Sequence, residues 1–314
     1  MDERLRQIER VEGVFTRAEI LDLGYDDRAI REMLRAKLIV RVRHGAYCSR
    51  DIWAAGAAED RHLILARAVM RAHAGRVALS HTSALLMQGV AVWNADLAKV
   101  HITRLDGATG RVERDVVHHE GSLDEGDVIE QRGLVLTTGA RAVLEAGSVL
   151  STESGLVIAD SALHRGLTTP EELTTCLARM TRWPFTQRLQ LVVRLSDGRA
   201  ESPGESRSRY LFWTRGLPAP DLQVAVRDDR GVLIAATDFG WWKHGVLGEF
   251  DGRVKYGRLL KPGQEPGDAV FEEKRREDRI RELTGFTVVR LTWEDLSRPA
   301  FTAARFARHL GLAA

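Results

Sequence analysis

Apolar positions in the first fifty residues recur at helical spacing and then switch to short extended runs. Arg4 to Val11 reads as a helix, and Val14-Phe15 as a short extended piece. Thr16 suits the N-cap of a helix from Arg17 to Leu23, because its hydroxyl can accept an orphan backbone N–H of the first turn. Glu19, three residues on, completes a capping box, and Gly24 ends the helix. Asp26 or Asp27 caps the next helix, which runs to about Ala36. Leu38 to Arg43 is extended, His44-Gly45 is a turn, and Ala46-Tyr47-Cys48 is extended again. Helix, turn, helix and a two-stranded ribbon is the order of a winged helix-turn-helix.

Further along, residues 57–74 carry Leu63, Ile64, Val69 and Met70 on an amphipathic helix. Ser80 caps another helix, through Leu85-Leu86-Met87 to Gly89. Short strands follow at Val100–Thr103, Val116–His119 and Leu134–Leu136. From Gly139 to about Leu195 the pattern is helical, with breaks at Gly166 and Trp183-Pro184. Ser196 to Gly204 is the best linker in the chain. After it come a helix from about Glu205 to Arg215, strands at Leu222–Val226, Val232–Phe239 and Val246–Asp251, a charged helix from about Asp268 to Thr284, and a strand at Phe286–Leu291. The reading is an α+β multidomain chain: residues 1–52 a winged helix, 53–197 a mixed α/β middle domain serving as scaffold or partner surface, and 201–314 a further α/β domain of helix, three-strand meander, helix, strand and helix.

Composition changes this picture little. The 314 residues suggest two or three domains. Two cysteines, Cys48 and Cys176, support neither a disulfide framework nor a thiolate zinc site. No stretch approaches the roughly 18 apolar residues of a membrane span, and the N-terminus lacks an apolar signal core, so a cytoplasmic protein without membrane partners is expected. The formal net charge of +2 does not by itself announce nucleic-acid binding. The cations are mostly arginine, as a high-GC genome alone would produce.

Placement of the cations is more informative than their sum. Arg28, Arg31 and Arg35 are spaced to form one stripe on the helix before the ribbon, opposite Ile30, Met33 and Leu34. Such a stripe can contact phosphates or grip guanine edges in the major groove. Arg41, Arg43 and His44 cluster at the ribbon tip, where a wing would meet backbone phosphate. The runs Gly13 to Ile20, Ile30 to Leu34 and Arg43 to Tyr47 resemble the N-terminal winged helix of AbiEi-type antitoxins, and Ser80 to Ala84 with Leu136 to Arg141 are similar to their middle region. That resemblance implies operator binding, autorepression of the operon and a nucleotidyltransferase-like toxin as partner. Double-stranded DNA is the expected ligand, and the sequence leaves monomer and homodimer open.

The C-terminal region carries an acidic constellation. A turn centred near His244 sets Asp238 against Glu249 or its neighbour, and Glu249 and Asp251 share a strand face. Three converging carboxylates repel one another unless a cation joins them, and oxygen donors suit Mg²⁺ or Mn²⁺. Such an ion can activate a water against a phosphodiester. Glu205 is a candidate fourth acid, Lys255 a candidate for stabilising the transition state, and Lys274, Arg275, Arg276 and Arg279 are candidate phosphate contacts. Glu205, Asp238-Phe239, Glu249 to Gly252, Glu273 to Arg279 and Gly285 to Trp293 resemble the restriction-endonuclease-like PD-(D/E)xK superfamily, closest to its very-short-patch-repair branch. The resemblance implies a restriction-endonuclease-like α/β domain and an endodeoxyribonuclease. Asp251 stands where the superfamily's lysine is expected, as that branch commonly has, which leaves a Mg²⁺-dependent enzyme, a non-catalytic antitoxin-like repressor and a dedicated transcription factor open.

Other motifs carry less. His118 and His119 are adjacent on a strand and point to opposite faces, so they cannot chelate together. His81, His101 and His164 have no partner at ligand spacing and are read as structural or surface residues. No glycine-rich phosphate loop, nucleophile elbow or zincin motif is present.

Overall fold

The computed structural model describes residues 2–73, 75–107, 109–180, 183, 186–252 and 266–312, with only the backbone described at 186 and 266–274. The chain divides into two compact units, one of Met1–Leu150 with Leu167–Gln190 and one of Ser151–Gly166 with Leu191–Ala314.

The first unit opens with α1 (Glu3–Glu12), β1 (Phe15–Thr16), α2 (Arg17–Asp22), α3 (Asp27–Arg35), β2 (Ile39–Arg43) and β3 (Ala46–Ser49). The strands pair antiparallel in the order β1-β3-β2, with Phe15 opposite Tyr47 and Val40 opposite Cys48. Local chemistry sets the helix starts. The Thr16 hydroxyl accepts the Glu19 N–H while the Glu19 carboxylate takes the Thr16 N–H at 2.7 Å, the reciprocal box expected from the spacing. Asp26 caps α3 through the Ala29 N–H at 2.8 Å. Leu5, Phe15, Ile20, Ile30, Ile39 and Tyr47 then close over one another as a small core. Burying each of the aliphatic and Phe side chains contributes roughly 1.5–3 kcal/mol, enough to hold short helices that would not persist alone. The N-terminus is therefore a winged-helix-like unit.

The same unit continues through α4 (Arg50–Ala55), α5 (Ala58–His73), β4 (Val77–Leu79), α6 (His81–Met87), β5 (Val100–Arg104), β6 (Arg111–Val112), β7 (Val116–His119), β8 (Val128–Gln131), β9 (Leu134–Thr137) and α7 (Gly139–Val149). After α8 (Thr152–His164), which belongs to the second unit, it adds α9 (Pro170–Arg179) and the start of α10 (Thr186–Leu195). Its second sheet runs β6-β7-β5-β4-β9-β8 and is mixed: β4 pairs parallel with β9 and β5 with β7, the other neighbours antiparallel. Sequence periodicity finds β5, β7 and β9 but misses β4, β6 and β8. β4 and β6 have three and two residues, too few for an alternation to show, and β8 sets its two apolar residues, Val128 and Ile129, side by side.

The second unit holds α11 (Pro203–Thr214), β10 (Asp221–Arg227), β11 (Leu233–Trp241), β12 (Val246–Asp251), α12 (Pro266–Thr284), β13 (Thr287–Thr292), α13 (Trp293–Ser297) and α14 (Pro299–His309). The sheet order is β10-β11-β12-β13; the first three strands form an antiparallel meander and β13 joins β12 in parallel. Both faces of β12 are covered. Phe239, Trp241 and Phe250 pack with Phe212 of α11 and Phe306 of α14, whereas Leu247 packs with Val224, Val288 and Ile280 of α12. Among the described residues no helix is long and apolar enough to cross a membrane.

Candidate functional site

The winged-helix unit presents a basic face. Ile30, Met33 and Leu34 turn α3 inward onto the small core, which leaves Arg28, Arg31 and Arg35 exposed on its outer side. Arg28 pairs with Glu32 at 3.0 Å, an exposed helical pair that phosphate can displace at little cost. Arg17 grips Asp27 with two hydrogen bonds of 2.8 and 2.6 Å and so ties α2 to the start of α3. In the ribbon, Arg41 is exposed with its guanidinium 5.9 Å from the Tyr47 ring centre, and His44 is exposed at the turn. Arg43 behaves differently from its expected neighbours. The register slips between Arg41 and Arg43, and the Arg43 side chain is only 16% exposed, with Nε 3.8 Å from Asp115. It braces the ribbon within its own unit.

In the second unit, Asp238, Glu249 and Asp251 do converge. They line a pocket of about 100 Å³ together with Ala236, Arg276 and Arg290. The β11–β12 register of Phe239 opposite Gly248, continued by one residue, sets Asp238 against Glu249. At that point the Asp238 carboxylate accepts the Phe250 N–H at 2.6 Å, in place of a main-chain acceptor. The other neighbouring strand is irregular at the same level, because Gln223 adopts φ +51° between the paired residues Leu222 and Val224. A cation already offsets part of the negative charge: Arg276 of α12 reaches Glu249 at 2.8 Å. Arg290, opposite Glu249 on β13, bonds to Glu277 at 3.0 Å.

Glu205 stands in the first turn of α11, and burial raises its pKa, with the nearby charge of Asp238 adding to the shift. Its two oxygens accept from the Ser202 hydroxyl at 2.6 Å, the Glu201 N–H at 3.0 Å and the Gln223 amide at 3.1 Å. It is thus held by donors of its own and is not among the residues that line the acidic pocket. Arg275 and Arg279 are exposed on α12, Arg279 pairing with Glu282 at 3.1 Å. Lys255 and the side chain of Lys274 lie outside the described residues.

A third cluster departs from expectation. His81 and His101, read from the sequence as lacking ligand partners, and His119, read only as unable to chelate with His118, place one ring nitrogen each within 4.8 Å of the others. The alternation of His118 and His119 holds: His118 turns to Glu113 at 3.1 Å, and His119 turns to the opposite face. The partners of His119 come from neighbouring chain segments instead. Parallel pairing of β5 with β7 sets Thr103 against His119, so His101, two residues back, shares its face. His101 Nδ1 and His119 Nε2 face each other at 2.8 Å, and the His81 and His119 rings stack with centres 3.6 Å apart. Burial is the first cause lowering all three pKa values, to about 3 for His101 and about 4 for His119; the other two rings of the cluster add to it for His81, His119 adds to it for His101, and His118 adds to it for His119. The signal that could have found the cluster is the pairing of β4 and β7 with β5, which is non-local and leaves no spacing in the sequence.

Comparison with known proteins bears on the N-terminal segment. A family model described as "Transcriptional regulator, AbiEi antitoxin" matches residues 3–50. Two curated relatives from strains of Mycobacterium tuberculosis, "Uncharacterized protein MT2308" and "Uncharacterized protein Rv2248", are each 27% identical over 179 residues, or 57% of this chain. The chain spans 62% of the length of these relatives. The N-terminal segment is thus similar to AbiEi-antitoxin transcriptional regulators, and its winged-helix-like fold agrees with that match.

Proposed function

We propose that this chain is a double-stranded DNA-binding regulator similar to AbiEi-type antitoxins, which lays α3 of its winged helix in the major groove. The observation that carries this reading is the exposed stripe of Arg28, Arg31 and Arg35 on a helix whose other side is sealed by Ile30, Met33 and Leu34. Arg41 and His44 add phosphate contacts from the ribbon. In the same reading, the chain represses its own operon and counters a nucleotidyltransferase-like toxin. The test is a gel shift on the duplex upstream of its own gene, across a salt series. Each phosphate contact contributes about 0.9 to the slope of log affinity against log salt, so replacing the three arginines with alanine removes up to about 2.7 from that slope. A variant with the wild-type slope and affinity refutes this interface. Sedimentation of the complex distinguishes one bound copy from a homodimer.

A second reading, an endonuclease-like C-terminal domain, is favoured by the convergence of Asp238, Glu249 and Asp251 in one small pocket. The donors are all oxygen and fit Mg²⁺ or Mn²⁺; Arg276 would leave Glu249 for a substrate phosphate. A bound ion there would polarise a phosphodiester and activate water. This chain's own contribution is to hold the carboxylates at fixed spacing, through the Asp238–Phe250 hydrogen bond and the β12–β13 pairing. Supercoiled plasmid with Mg²⁺ or Mn²⁺ is the assay. Nicking that is lost in the double variant Asp238→Asn, Glu249→Gln supports the enzyme; DNA binding by both proteins with no nicking supports the non-catalytic repressor.

A further inference from the structure

We propose that His81, His101 and His119 form a binding site for one divalent transition-metal ion of the zinc class, with an open coordination position facing the adjacent cavity. Three chain segments deliver the imidazoles: the β4–α6 junction, β5 and the end of β7. Tetrahedral zinc with bonds of about 2.0–2.1 Å holds its ligand nitrogens about 3.4 Å apart. The three nitrogens here lie within 4.8 Å of one another, and His101 Nδ1 and His119 Nε2 already face each other at 2.8 Å, distances that bracket that spacing. All-imidazole donors select zinc, copper or nickel over magnesium, which separates this site from the acidic pocket of the other unit.

Three further features point to a ligand. His81 adopts φ +52°, a left-handed conformation uncommon outside glycine, and main-chain hydrogen bonds hold it there. Its N–H donates to Glu145 at 3.3 Å, and the preceding Ser80 N–H donates to the His101 carbonyl at 3.1 Å. The outer side of the His81 ring is already furnished: Nδ1 lies 3.0 Å from the Ser80 hydroxyl and 3.7 Å from Glu145, the kind of partner that orients a metal-bound imidazole and leaves Nε2 for the ion. Glu145 is itself fixed by Arg141 at 2.9 Å and Thr137 at 3.2 Å. Finally, His81 and His119 line a cavity of about 350 Å³ with Thr103, Glu120, Arg141 and Trp183. The Thr103 hydroxyl there is buried and, among the described residues, has no hydrogen-bond partner. A water or small exchangeable ligand in the open position would satisfy it.

The experiment is titration of the metal-free 314-residue chain with Co²⁺, read by visible absorption and checked by thermal melting. One equivalent is expected to raise an intense tetrahedral d–d band, which one equivalent of Zn²⁺ abolishes. His101→Gln and His119→Gln, at partly buried positions, are expected to lose the band while melting as the metal-free wild type does. Asp238→Asn with Glu249→Gln is expected to keep it. Azide is expected to shift the band through the open position. No band in a chain that melts cooperatively, or a band that survives both glutamine variants, overturns the site and leaves a hydrogen-bonded histidine stack; a band that azide does not move overturns the open position.

Discussion

Gly204→Ala tests the packing of α11, the helix that carries Glu205, against β12. Gly204 follows Pro203 in the first turn of α11, where that turn rests on β12. A Cβ at Gly204 would lie 2.0 Å from Phe250 Cε1 and 2.3 Å from Cδ1, far inside the contact distance of about 3.5–4.0 Å between carbons. Either the ring turns or the helix lifts by more than an ångström. The ring has little room, being 6% exposed and edge-on to Trp293 with centres 4.9 Å apart. Overpacking of this kind costs about 1–3 kcal/mol, and the better helix propensity of alanine returns less than about 1 kcal/mol in a first turn. The net expectation is a loss of about 1–2 kcal/mol, or a fall of roughly 2–8 °C in the melting of the second unit. Urea denaturation with a constant m-value measures it. In a Phe250→Leu background the same substitution should cost little, since the clashing ring carbons are gone, and that non-additivity is the signature of a direct contact. A Gly204→Ala protein as stable as wild type, or costs that simply add in the double variant, would refute the close approach of α11 to β12.

Two further expectations concern the first unit. Thr16→Ala removes one arm of the capping box and should destabilise the winged helix by about 1 kcal/mol; Glu19→Ala should cost more, because Glu19 also holds Arg71 of α5 at 2.6 Å, and chemical denaturation ranks the two. His62 is buried between the Leu97 carbonyl and the Ser83 hydroxyl, both at 2.9 Å, and burial lowers its pKa although that carbonyl and Asp96 oppose the shift. The folded state thus refuses a proton that the unfolded chain accepts below its ordinary value of about 6.5, so stability is full above that pH and is lost as pH falls. Its share is at most about 1.4 kcal/mol per pH unit, and His62→Gln should flatten the acid limb of a stability-against-pH curve by that slope; an unchanged limb would show that His62 takes up its proton in the folded state.

What could be read from the sequence follows the range of the interactions. The Thr16–Glu19 box is a three-residue spacing inside one turn, so the residues alone locate it. Asp238 and Glu249 are separated by one tight turn, and a hairpin converts a turn position into a register, which is why their meeting is legible in the sequence. The cations that answer them were not. Arg276 reads on its helix as one of several exposed charges, and only the packing of α12 on the sheet turns it to Glu249. Arg43 likewise reads as part of a basic tip until Asp115, remote in sequence, claims it. The histidines show the limit most sharply. Strand alternation correctly forbids His118 and His119 from acting as a pair, yet that local rule says nothing about which strand lies alongside. The parallel β5–β7 pairing is a crossover connection, and β4, the strand that positions His81, has three residues and no alternation to betray it. A ligand set assembled across such pairings is invisible to spacing, whereas a set assembled across a hairpin is not.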